Sequence, residues 1–175
     1  MRSVNNQQPT INNLGYTLIE ILIVSSIIVI FSGILLASYN NFTQIKNLEQ
    51  EVSFLADTLS LAKSKTQAAD IELACSGVEE FGGYTVELDS SGYVMKQCCR
   101  DAISNNIGNC SAGLQSRQFA SRIINLTGTV TIEFFPVSAG ASMNTVTLKN
   151  EIIEKCSDIT VLSSGIISAG NPYPC

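Results

Sequence analysis

The chain has 175 residues, a formal charge of −5 and a sequence pI near 4.6. That acidic balance argues against a general nucleic-acid binder, which needs a basic face to neutralise phosphates. Histidine is absent, which removes the commonest general base and the commonest metal ligand.

Residues 1–15 are mostly polar. Residues 21–37 are almost wholly apolar, and no charge stands between Glu20 and Lys46. As a helix, 21–45 extends roughly 37 Å at about 1.5 Å per residue, whereas a hydrocarbon core is about 30 Å thick. The expectation is a transmembrane helix over 16–38, with the N-terminus on the cytoplasmic side because Arg2 precedes the run. Three plainer readings compete. A buried core helix is rarely so long and so free of polar residues. A secretory signal needs a small-residue cleavage site, and Leu35-Leu36-Ala37 is a poor one. A plain signal anchor accounts for everything except Gly15 and Glu20. Glu20 could simply extend to the headgroups, but an acid in an apolar segment is by default a functional residue whose partner should be named.

The stretch Gly15-Tyr16-Thr17-Leu18-Ile19-Glu20 resembles the processing motif of type IV prepilins and type II secretion pseudopilins. The resemblance implies a leader over 1–15 and cleavage between Gly15 and Tyr16 by prepilin peptidase. It further implies N-methylation of Tyr16, with Glu20 as the fifth residue of the mature chain. Cleavage would create an ammonium at Tyr16, and Glu20 of a neighbouring subunit would neutralise it, each charge lowering the cost of burying the other. Three departures stand out: Tyr16 for the usual Phe, Leu14 for the usual basic residue before the Gly, and Ala37 where many major pilins carry a helix-kinking Pro.

Beyond the run, Phe42, Ile45, Leu48, Val52, Leu55, Leu59 and Ala62 recur at spacings of three and four, an apolar stripe on an amphipathic helix over 39–68. Its cover is either a coiled-coil partner or the strand-rich segment that follows. Over 69–175 the pattern changes to strands. A short one is expected at 71–75. Tyr84, Val86 and Leu88 alternate with Thr85 and Glu87, Asp89-Ser90-Ser91-Gly92 reads as a turn, and 93–98 returns as a hairpin. Residues 101–118 read as a polar loop, with further strands over 129–135, 144–148, 158–162 and 165–169. The predicted fold is α+β: a long N-terminal helix, transmembrane in its first half and amphipathic in its second, packed on an antiparallel β-sheet domain. The order of these pieces is also similar to the minor pseudopilin H and FimT-type minor pilins.

All six cysteines lie beyond the apolar run: Cys75, Cys98, Cys99, Cys110, Cys156 and Cys175. No C-x-x-C pair occurs, so disulfides rather than a metal site are expected in an exported domain. Neighbours in a strand point to opposite faces, so Cys98 and Cys99 should have different partners. Between Cys156 and Cys175 a strand, a turn at Ser163-Ser164-Gly165 and a returning strand would bring the two ends to one side of a hairpin. Many pilins close their C-terminal region with a disulfide, so the resemblance points the same way to Cys156–Cys175. The pairing of the other four stays open. Three N-x-S/T triplets, at Asn41, Asn109 and Asn125, carry little weight because chance produces them readily.

No nucleophile motif, phosphate loop or placeable carboxylate pair occurs, so no enzyme, cofactor or metal is expected. The resemblance implies a minor pilin or pseudopilin, single-pass in the inner membrane before it enters a filament. Its partners would be the membrane, prepilin peptidase and other subunits through the N-terminal helix, with no nucleic acid. The alternative is a minor pilin acting as an adhesin or DNA-uptake receptor, although the tail after Lys155 carries no Lys or Arg.

Overall fold

A computed structural model describes residues 17–72, 74–77, 79–101, 107–136 and 140–175, the side chains of 34–38 excepted. The backbone divides into two compact units, Met1–Asn40 and Asn41–Cys175.

Helix α1 runs over Leu18–Gln67. Its first turn is capped by Thr17, whose carbonyl accepts the N–H groups of Glu20 and Ile21 at 3.0 and 3.2 Å and whose Oγ1 accepts that of Glu20 at 3.3 Å. Its last turn closes as a Schellman motif: Asp70 N–H donates to Lys65 O at 3.0 Å and Ala69 N–H to Thr66 O at 3.2 Å. Ala69 takes the left-handed conformation this requires, at φ 49°.

Among the described residues no helix is long and apolar enough to cross a membrane. This overturns the transmembrane segment expected over 16–38, and with it the single-pass inner-membrane placement. In the described stretch 18–33 the apolar residues are interrupted by Glu20, Ser25, Ser26, Ser32 and Gly33, and from Tyr39 the sequence turns polar with Asn40, Asn41, Thr43 and Gln44.

The second unit holds two antiparallel sheets where one was expected. In the first, β1 (Glu79–Leu88) lies between β2 (Gly92–Asp101) and β6 (Val130–Phe134), and the far edge of β2 is shared by β3 (Ile107–Cys110) and β4 (Gln115–Gln118). In the second, β7 (Asn144–Asn150) lies between β5 (Ile123–Asn125) and β8 (Lys155–Val161), whose other edge takes β9 (Ile167–Ala169) and β10 (Tyr173–Pro174). The described part of 71–75 forms no strand, and the polar stretch read as a loop supplies β3 and β4.

The predicted helical stripe builds the core. Leu48, Val52, Leu55, Leu59 and Ala62 are at most 4% exposed and cluster with Tyr84, Val86, Leu88 and Ile132 of the first sheet and Val146, Leu148 and Ile159 of the second. Polar ties join helix to sheets. Thr66 Oγ1 accepts Tyr84 N–H at 3.1 Å, and the Asn150 amide donates to the Gln44 side chain at 3.1 Å. Lys65 pairs with both Asp70 and Glu72, which holds its ammonium above the usual lysine range. β1 carries a bulge between Phe81 and Gly83 in its pairing with β2, and Gly83 sits at φ 106°, where a Cβ would lie 2.0 Å from Phe134 O of β6.

Candidate assembly site

Gly15 and Tyr16, the expected cleavage pair, lie outside the described residues. Glu20 is the third residue of α1, placed there by the Thr17 cap. Thr17-Leu18-Ile19-Glu20 has the Ser/Thr-x-x-Glu form of a capping box, a signal present in the sequence that the reading of Glu20 as an assembly residue passed over. The Thr17 cap engages the backbone N–H of Glu20. The carboxylate itself has no hydrogen-bond or ion-pair partner among the described residues.

From Glu20 the helix presents apolar side chains on every side. Leu18, Ile19, Ile21, Leu22, Ile27, Val29 and Phe31 are each between 48% and 83% exposed. Two of the three serines of this stretch turn back onto the helix: Ser25 Oγ donates to Leu22 O at 3.0 Å and Ser26 Oγ to Ile23 O at 2.8 Å. Glu20, Ile21, Val24, Ser25 and Ile28 line one shallow groove of ≈ 410 Å³, with the carboxylate at its N-terminal end. The chemical content is therefore one acid at the head of an apolar rod, able to neutralise a cation brought in with apolar surface.

The second unit is fixed by three disulfides: Cys75–Cys99, Cys98–Cys110 and Cys156–Cys175. Cys98 and Cys99 thus have different partners. Cys156–Cys175 closes the end of the second sheet, where Tyr173 pairs with Cys156 across β10 and β8. Tyr173 Oη donates to the Asp158 carboxylate at 3.0 and 3.1 Å, an acceptor that holds the phenol above its ordinary pKa. Arg117 was not foreseen. Its guanidinium bonds both carboxylate oxygens of Glu51, at 2.9 and 3.3 Å, and lies 3.9 Å over the Phe54 ring. Tyr93 stands beside it, its phenol raised by burial. Of the three N-x-S/T asparagines, Asn125 is buried, with its amide donating to Asp89 O and Gly128 O.

Among the described residues no group of three or more His, Cys, Asp or Glu is arranged to hold a metal ion. No protein-family model, no curated protein and no solved structure matches the chain.

Proposed function

We propose that this chain is a structural subunit of a type IV pilus-like filament or type II secretion pseudopilus, a minor pilin or pseudopilin. In this reading prepilin peptidase cuts after Gly15 and the mature chain begins at Tyr16. The observation that carries the reading is the stretch 18–33, a helix whose described apolar side chains are exposed, with an acid at its head that has no partner among the described residues. Roughly 25 cal/mol per Å² of apolar surface favours covering such a rod. The same rod of a neighbouring subunit supplies the cover, and the neighbour's Tyr16 amine supplies the counter-charge.

The sheets support the same route of assembly. Both end on short strands, of two to five residues: β3, β4 and β6 in one, β5, β9 and β10 in the other. Edges so short discourage strand-to-strand association, which leaves the helix as the surface for polymerisation. Three disulfides suit a domain exported to an oxidising compartment.

The test is incorporation. In a host with prepilin peptidase and an assembly machine, the wild-type chain should appear in sheared filaments, and Ile27→Asp, which places a charge on the apolar rod, should be stable but absent from them. Incorporation of Ile27→Asp at wild-type level would refute the reading.

A further inference from the structure

We propose that Cys98–Cys110 is a redox latch on the edge of the first sheet: of the three disulfides, the one a dithiol opens first, releasing β3 from β2. The bond joins directly opposed residues of β2 and β3, and β3 has only one other registered pair with β2, Arg100 with Ile107. Gly108, Asn109 and Cys110 are exposed, whereas Cys98 is 1% exposed. An incoming thiolate therefore meets the sulfur of Cys110, and Cys98 is the leaving group.

The leaving sulfur is prepared. Thr85 Oγ1, buried in β1, lies 3.4 Å from Cys98 Sγ. A disulfide sulfur carries no hydrogen, so the Thr85 hydroxyl is the donor. It faces the charge that develops on Cys98 as the bond breaks, and a less basic leaving thiolate departs faster. Among the described residues no other cysteine sulfur accepts a hydrogen bond from a hydroxyl. Cys175 is as exposed as Cys110, but its buried partner Cys156 lacks such a donor.

The step balances with a dithiol as reductant. Its first thiolate attacks Cys110 Sγ to form a mixed disulfide, and Cys98 leaves as a thiolate that takes up a proton. Its second thiol attacks the mixed disulfide, leaving the dithiol oxidised and Cys110 as a thiol. Ser111 still ties the segment to β2, since its N–H donates to Gln97 O at 2.8 Å and its Oγ accepts Gln97 N–H at 3.1 Å. The Asn109 amide on the Glu79 carboxylate adds one exposed tie. Ser111 therefore stays tied to β2 when the bond opens, and Cys110 is released from the edge of β2 beside Cys98.

Graded dithiothreitol treatment of the full chain, then alkylation and peptide mapping, tests the proposal. Cys98 and Cys110 should be labelled together before the other four cysteines, and the amide of Cys99, on the β3 side of β2, should lose hydrogen-exchange protection at the same step. Thr85→Val should slow this opening on the order of three- to tenfold, and Thr85→Ser, which keeps the donor, should restore it. Opening of Cys156–Cys175 or Cys75–Cys99 first, or an unchanged rate in Thr85→Val, would overturn the proposal. Should Thr85→Val fail to fold, the order of opening in the wild-type chain and in Thr85→Ser decides alone.

Discussion

Arg117 on edge strand β4 closes on Glu51 of α1, 66 residues earlier, with Nη2–Oε1 at 2.9 Å and Nε–Oε2 at 3.3 Å. The contact is unequal: the Glu51 side chain is 5% exposed and that of Arg117 40%. Glu51 holds the guanidinium pKa above its ordinary value. Removing Arg117 would strand a buried carboxylate, whereas removing both charges would not.

Arg117→Met should therefore lower the unfolding free energy by about 2–3 kcal/mol, less than a fully buried pair because solvent reaches the arginine. Glu51→Met with Arg117→Met should recover part of that loss. Urea denaturation with disulfides intact measures both. Equal losses in the single and double variants would mean that packing on Phe54, not charge pairing, is what Arg117 contributes.

The C-terminus of α1 gives a prediction of opposite sign. Ala69 is held at φ 49° by its Schellman motif, a conformation that costs a residue with a Cβ about 1 kcal/mol more than glycine. Ala69→Gly should raise the melting temperature, read by differential scanning calorimetry.

Asp89 makes stability depend on acid pH. Its Oδ1 accepts from Ser91 N–H at 2.6 Å, Ser91 Oγ at 2.8 Å and Gly92 N–H at 2.8 Å, and these bonds, led by the Ser91 N–H, hold its pKa below the ordinary carboxylate value. A carboxylate with a depressed folded pKa contributes fully above its unfolded pKa of about 3.9 and loses that contribution as pH falls through the folded value. Asp89→Asn keeps the turn's acceptor but cannot titrate. Thermal unfolding of wild type and variant should therefore converge as pH is lowered from 5 to 2, and a constant gap would contradict this.

How much of this was legible varies with the kind of contact. The helix stripe from Leu48 to Ala62 and the hairpin turn at Asp89–Gly92 were readable, because periodicity and turn chemistry are local. Phe42 belonged to the stripe by spacing yet is 57% exposed. Strands β3 and β4 were read as loop. Their residues, such as Asn109, Gln115 and Gln118, are polar because both strands are exposed edges, where alternation has no buried face to mark. The division into two sheets and the Glu51–Arg117 pair depend on long-range pairing that no window of sequence contains. The membrane reading rested on the apolar run 21–37 and the lack of charge over 21–45, yet among the described residues no helix is long and apolar enough to cross a membrane.

Glu20 separates folding from assembly. Its carboxylate has no partner among the described residues, so Glu20→Val should leave the chain stable and still cleaved, yet excluded from filaments. Immunoblotting of sheared filaments against whole cells reads this. Incorporation at wild-type level would show that the acid is dispensable.

Processing tests the central claim most directly. Mass spectrometry of the chain produced with an active prepilin peptidase should find residues 16–175 with a methylated Tyr16 amine, and Gly15 replaced by a bulky residue should block the cut. An intact N-terminus that still contains Arg2, in cells where the peptidase processes its other substrates, would contradict the account.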